Sequence, residues 1–171
     1  MVNPSNIVTL HGNPLTLSGN LIQNGDRLPN AELINNDLKA VRLSDYRGKV
    51  VIISSVPSLD TPVCDMQTRR FNNEAASLSD AVVILTLSMD LPFAQKRWCG
   101  AAGVERVITL SDHRTAAFGQ AAGLLINDLR LLARAVLVVD REGVVRHSQL
   151  VQEVSEEPDY DAVLGALKTL I

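Results

Sequence analysis

The chain has 171 residues, 46% of them hydrophobic and 20% charged, with a net charge of −3. That length supports one domain with a proper core, and the near-neutral balance argues against a nucleic-acid-binding stripe and against disorder. No apolar run reaches membrane-spanning length, and the start, MVNPSNIVTL, lacks the basic and apolar regions of a signal peptide, so the expected setting is cytoplasmic, with neither membrane nor nucleic acid as partner.

The first local signal is IVTLHGNPLTLSG, two short alternating runs around HGNP, which predicts a hairpin. It reads as an N-terminal extension within residues 1–24, because NLIQNGDRLPN after it has the composition of a loop. AVRLSDYRGK predicts a short strand and a turn. Lys49 to Val56 is the first strong element, apolar at successive positions as a central sheet strand is. Ala81 to Ser88 and Arg134 to Asp140 read the same way. REG then turns the chain into VVRHSQLV, so the last two strands should be antiparallel neighbours.

Helical patterns fall between these strands. Phe71, Ala75 and Leu78 share one face of a helix that begins near Pro62. Pro92 to Cys99 predicts a second helix, with Asp90 as its N-cap and Gly100 as its stop. Thr115 to Ala122 is a third, and Tyr160 to Leu170 closes the chain with apolar Val163, Leu164, Leu167 and Leu170. Such alternation predicts an α/β fold, a single domain over 1–171 with helices flanking a central mixed β-sheet.

The chain has two cysteines, Cys64 and Cys99. In a reducing compartment a stable structural disulfide is rare, so they are either inert packing residues or working thiols. Thr61 suits an N-cap and Pro62 the first helical position, which puts Cys64 in the first turn. There the free N–H groups and the helix dipole favour a thiolate. Cys99 sits at the other end of its helix, one residue before Gly100, where the dipole opposes a thiolate. On these grounds Cys64 is the nucleophile and Cys99 the partner in a second step. The plain alternative stands beside this: free cysteine is among the most buried residue types, an N-cap threonine needs no catalytic role, and Pro57 need only end a strand.

Other chemistries fit poorly. The cysteines do not form a C-x-x-C pair, and His11, His113 and His147 lack metal-ligand spacing, although any of them could fold back toward Cys64. No glycine-rich phosphate loop is present. EVSEEPDYD reads as a solvated, dipole-friendly start to the last helix, and Lys96 and Arg97 as a solvated helix face.

The turn PSLDTPVC resembles the active-site signature of the peroxiredoxins, Pro-x-x-x-Thr-x-x-Cys, here Pro57, Thr61 and Cys64. SLDTPVCDMQTRRFN, DLPFAQKRWCG, LSDHR, LLARAVLVVD and EEPDYDAVL resemble the bacterial thiol peroxidase branch, an atypical two-cysteine type. The resemblance implies a thioredoxin-like fold with an N-terminal β-hairpin. It implies that Cys64 is the peroxidatic cysteine and Cys99 the resolving cysteine of the same chain, the two forming an intrachain disulfide. Thr61 and the backbone around Cys64 would bind the peroxide oxygens, Arg134 would stabilise the thiolate and the polarised peroxide, and Pro57 would shield the site. Without the resemblance, Arg134 reads as half of a structural ion pair. The implied substrates are hydrogen peroxide and alkyl hydroperoxides, the implied reductant is thioredoxin, and the implied assembly is a homodimer. No metal or organic cofactor is required. A redox sensor using the same disulfide is the rival reading, and nothing in the chain resembles an appended output domain to support it.

Overall fold

The computed structural model describes residues 7–75, 78, 80–103 and 106–171, with Ala75 described by its backbone alone. In chain order the elements are β1 (Ile7–Leu10), β2 (Asn13–Thr16), β3 (Glu32–Ile34), β4 (Ala40–Arg42), a 3₁₀ turn (Leu43–Tyr46), β5 (Val50–Ser55) and α1 (Pro62–Ala75). They continue with β6 (Val82–Ser88), α2 (Pro92–Ala102), β7 (Val107–Ser111), α3 (Ala117–Ala122), β8 (Leu125–Ile126) and β9 (Leu131–Leu132). Last come β10 (Ala135–Val139), β11 (Val145–Leu150) and α4 (Tyr160–Lys168).

The main sheet has seven strands in the order β11-β10-β5-β6-β7-β3-β4. β5, β6 and β7 run parallel, whereas β10 is antiparallel to both β5 and β11, and β3 to both β7 and β4, so the sheet is mixed as expected. The final two strands are antiparallel neighbours. The N-terminal run folds as the expected hairpin, with Leu10 opposite Asn13 and a two-residue turn. His11 (φ +51°) and Gly12 (φ +82°) both take positive φ, the geometry that joins twisted strands tightly.

Side-chain alternation assigns two layers. Val51, Ile53, Leu85, Leu87, Leu110, Ala135 and Leu137 face one apolar cluster with the hairpin and α3. Val50, Ile52, Ile84, Val107, Val136 and Val138 face the other, where they meet Phe71 and Cys64 of α1, Trp98 of α2, and Val163 and Leu167 of α4.

The structure moves several expected boundaries. α2 runs through Gly100 to Ala102 and ends at Gly103 (φ +67°), because a glycine inside a helix costs only about 1 kcal/mol, whereas the stop needs a left-handed residue. Asp90 does not cap α2; Leu91 stands at that position, without a side-chain cap. α3 begins at Ala117 rather than Thr115, its first free N–H groups taken by the Asp112 carboxylate through Phe118 N and Gly119 N at 3.1 and 2.8 Å. α4 ends at Lys168. Leu78 lies beyond α1 yet still packs on the α1 side of the sheet, while the Ala75 side chain falls outside the described residues. β3, β7 and the small β8–β9 pair carried no clear sequence signal. Among the described residues, no helix is long and apolar enough to cross a membrane.

Candidate active site

The loop between β5 and α1 is held from both sides. Asp90, expected to cap α2, instead accepts hydrogen bonds from Ser58 Oγ (2.7 Å) and Leu59 N (2.9 Å), and Ser88 Oγ donates to the same carboxylate at 2.8 Å. Thr61 donates its hydroxyl to Ser58 O at 3.1 Å, and its Oγ1 accepts the Cys64 N–H at 3.4 Å, the contact of an N-cap. Pro57, in the same loop, is buried. Cys64 therefore sits in the first turn of α1, fully buried.

Arg134 immediately precedes β10 and shares its parity with Val136 and Val138, so its side chain lies on the α1 side of the sheet. It is 2% exposed and makes three hydrogen bonds. Nη2 donates to Cys64 Sγ at 3.1 Å, Nη1 to Gln67 Oε1 at 2.8 Å and Nε to the Val154 carbonyl at 2.8 Å. Gln67 is held in turn, donating Nε2 to Ser54 Oγ at 2.6 Å. Sequence reasoning did not single out Gln67, Ser54 or Val154. The available signal was the i, i+3 spacing of Cys64 and Gln67, which puts both on one helix face. Tyr160 lies edge-on to Phe71 nearby, its ring centroid 5.4 Å away. Burial, then the hydrogen bond to Glu157, pushes its phenol well above the ordinary value.

A cavity of about 410 Å³ opens over this arrangement. Its lining is mostly apolar, including Leu10, Pro57, Val63 and Ile126, with Thr61 and Arg134 reaching into it. His11, at the hairpin turn, stands on its wall, so one of the three histidines does approach the site.

Cys99 is placed apart from this cluster. Its Sγ lies 3.5 Å from Thr109 Oγ1, and the Thr109 hydroxyl donates to Asn36 Oδ1 at 3.0 Å, which leaves the threonine oxygen to accept from the thiol. Both cysteines are free. Their partners, Arg134 beside β10 and Thr109 on β7, stand three places apart in the sheet, roughly 14 Å at about 4.8 Å per strand. The two helices are nevertheless tied beside their cysteines. Trp98 Nε1 donates to Asp65 Oδ1 at 2.8 Å, Arg69 donates to Asp65 Oδ2 at 2.9 Å and to the Ala102 carbonyl at 3.3 Å, and the Arg69 guanidinium lies 5.7 Å over the Trp98 ring. Among the described residues no group of three or more His, Cys, Asp or Glu converges to hold a metal ion.

A buried cysteine at a helix start, touched by a buried guanidinium, is a site for nucleophilic sulfur chemistry. Comparison with known proteins agrees. The Redoxin family model matches residues 23–164. The chain belongs to the redoxin family and, within it, to the thiol peroxidases. A thiol peroxidase of Oceanobacillus iheyensis is 56% identical over 160 residues, covering 94% of this chain and 97% of the relative. That of Halalkalibacterium halodurans is 52% identical over 164 residues, covering 96% and 98%. The crystal structure of a peroxiredoxin-like protein from Aquifex aeolicus, 43% identical, superposes with a TM-score of 0.91 over 97% of this chain and 98% of that one. The fold is thus the thioredoxin-like fold of the peroxiredoxins, and the thiol peroxidase likeness spans both cysteine-bearing helices.

Proposed function

We propose that the protein is a thiol-dependent peroxidase that reduces hydrogen peroxide and organic hydroperoxides to water and alcohols, in antioxidant defence. One observation carries the reading: Arg134 Nη2 stands 3.1 Å from Cys64 Sγ at the buried start of α1, beneath a largely apolar cavity. Cys64 acts as the peroxidatic thiolate. Its sulfur attacks the terminal peroxide oxygen, the O–O bond breaks, and the electron pair leaves on the other oxygen, which takes a proton to become water or alcohol. The sulfur is left as a sulfenic acid. Negative charge grows on the leaving oxygen, where the Arg134 guanidinium, the Thr61 hydroxyl and the N–H groups of the first turn stand ready. Pro57 closes one side of the site against water. The apolar lining suits the hydrocarbon part of an organic hydroperoxide.

In the second step the Cys99 thiol attacks the Cys64 sulfur, water leaves, and an intrachain disulfide forms. A dithiol protein of the thioredoxin type restores both thiols by exchange. The family likeness supports that reductant and a homodimeric assembly. A cytoplasmic location fits because that compartment keeps dithiol carriers reduced.

The test mixes reduced protein with cumene hydroperoxide, then adds thioredoxin, its reductase and NADPH. The wild type consumes NADPH steadily. Cys64→Ser consumes no peroxide, and Cys99→Ser consumes one equivalent without turnover. A Cys99→Ser protein unable to consume that equivalent shows the assignment of the two thiols to be wrong.

A further inference from the structure

The hairpin lies outside the main sheet, yet a short chain of contacts ties it to Arg134. Thr9 N donates to Gln152 O and Val154 N to Thr9 O, both at 2.8 Å, so Thr9 and Glu153 form a parallel bridge. The Glu153 carboxylate completes the tie. Its Oε1 accepts Gly12 N at 2.8 Å and Thr9 Oγ1 at 3.2 Å, and its Oε2 accepts Ser155 N at 2.8 Å and Ser155 Oγ at 2.6 Å. These donors, the Ser155 hydroxyl first, hold the carboxyl at a pKa of about 2. The next residue, Val154, is buried and gives its carbonyl to Arg134 Nε, while Val151 N donates to the Arg134 carbonyl at 2.9 Å. The 151–155 strap is thus fastened to the hairpin on one side and to the arginine on the other.

We propose that Glu153 is a positioning residue for peroxide reduction: by bolting the hairpin turn to the 151–155 strap, it holds the Val154 carbonyl on Arg134 Nε and so aims Nη2 at the Cys64 sulfur. The inference rests on the roles given above to Cys64 and Arg134. A guanidinium is planar, and anchors at Nε and Nη1 fix that plane. Loss of one anchor lets it swing, and a misplacement of about 1 Å at a reacting centre costs up to roughly 10²-fold. The carboxylate is specific to the task. Its two oxygens accept from both sides, whereas an amide would turn an NH₂ group against the N–H of Gly12 or of Ser155. Aspartate is one methylene too short to span both.

The test is a double-mutant cycle on the second-order rate constant for oxidation of Cys64 by hydrogen peroxide, a substrate too small to sense the cavity wall. Glu153→Gln lowers the constant about tenfold in the wild-type background and less than about twofold in the Arg134→Lys background, because its effect passes through the arginine. The Arg134 Nε–H signal, protected from solvent exchange in the wild type, exchanges faster in Glu153→Gln. Equal losses in both backgrounds, no loss in the wild-type background, or unchanged Nε–H exchange overturns the proposal. If Arg134→Lys itself oxidises at the wild-type rate, the role of Arg134 fails and this inference fails with it; a slow Arg134→Lys with additive losses sinks only the inference. Should Glu153→Gln fail to fold, Ser155→Ala removes one donor to Oε2 and enters the same cycle, with an expected loss of about threefold that again vanishes beside Arg134→Lys.

Discussion

A buried guanidinium is costly unless it is paired and its donors are used. Arg134 meets that requirement with two neutral oxygens, from Gln67 and Val154, and the Cys64 sulfur. The oxygens set its direction, and the sulfur is where a counter-charge belongs. Arg134→Lys keeps the charge but cannot reach three partners in one plane. The rate constant for Cys64 oxidation falls about 10²-fold in that variant, the scale of losing one donor to a developing oxyanion. Stopped-flow oxidation under one equivalent of peroxide reads it directly, and an unchanged constant would return Arg134 to a purely structural role. Gln67 illustrates how far the sequence reaches at this scale. Its spacing from Cys64 was legible, but its partners are Ser54 on β5, met only once α1 packs on the sheet, and an arginine much later in the chain, met only once β10 lies beside β5.

At the scale of elements, α1 and α2 each carry one cysteine and are clasped next to it by the Asp65–Trp98 hydrogen bond and by Arg69. Cys64 faces Arg134 and Cys99 faces Thr109, so bonding the two sulfurs requires the helices to open locally; a disulfide needs Cα atoms within about 7 Å. The clasp opposes that opening. Trp98→Phe removes the indole donor while keeping an aromatic ring. A hydrogen bond to a charged group contributes about 1.5 kcal/mol, so disulfide formation after one oxidation is expected to quicken about tenfold. Acid quenching, alkylation of remaining thiols and intact mass measurement follow the step. A rate equal to or slower than wild type would mean that other contacts hold the helices closed. Hydrogen exchange would add the map: the oxidised protein is expected to exchange faster around Cys64 and from Trp98 to Gly103, and equal protection in both forms would contradict local opening.

Over the whole molecule, the sheet puts both thiols on the same layer, in one apolar cluster with Trp98 and Phe71. The proposed intrachain bond therefore calls for movement of two neighbouring helices on one face of the sheet. Oxidised protein is accordingly expected to run as a monomer on a non-reducing gel, while sedimentation of the same sample is expected to give the proposed dimer. A disulfide-linked dimer as the main oxidised product would contradict the intrachain bond, and a monomer by sedimentation would remove the dimer.

The sequence by itself determined what neighbouring residues decide among themselves. The N-terminal hairpin, the start of α1 at Thr61 and Pro62, the position of Cys64 in its first turn and the three apolar strands are local events, set by backbone preference, capping and side-chain period. Tertiary structure decided the rest. Asp90 had the look of a helix cap but pins the loop before Cys64, and Glu153 had the look of a solvated acid but binds the hairpin. Short strands such as β3, three residues held between β7 and β4, carry too few residues for a period to show, and pair only because the sheet offers them neighbours. Arg134 reaches Cys64 because strand order and side-chain parity put both on one side of the sheet. Hydrogen bonds across such separations depend on which strands become neighbours, and no local pattern in the chain encodes that order.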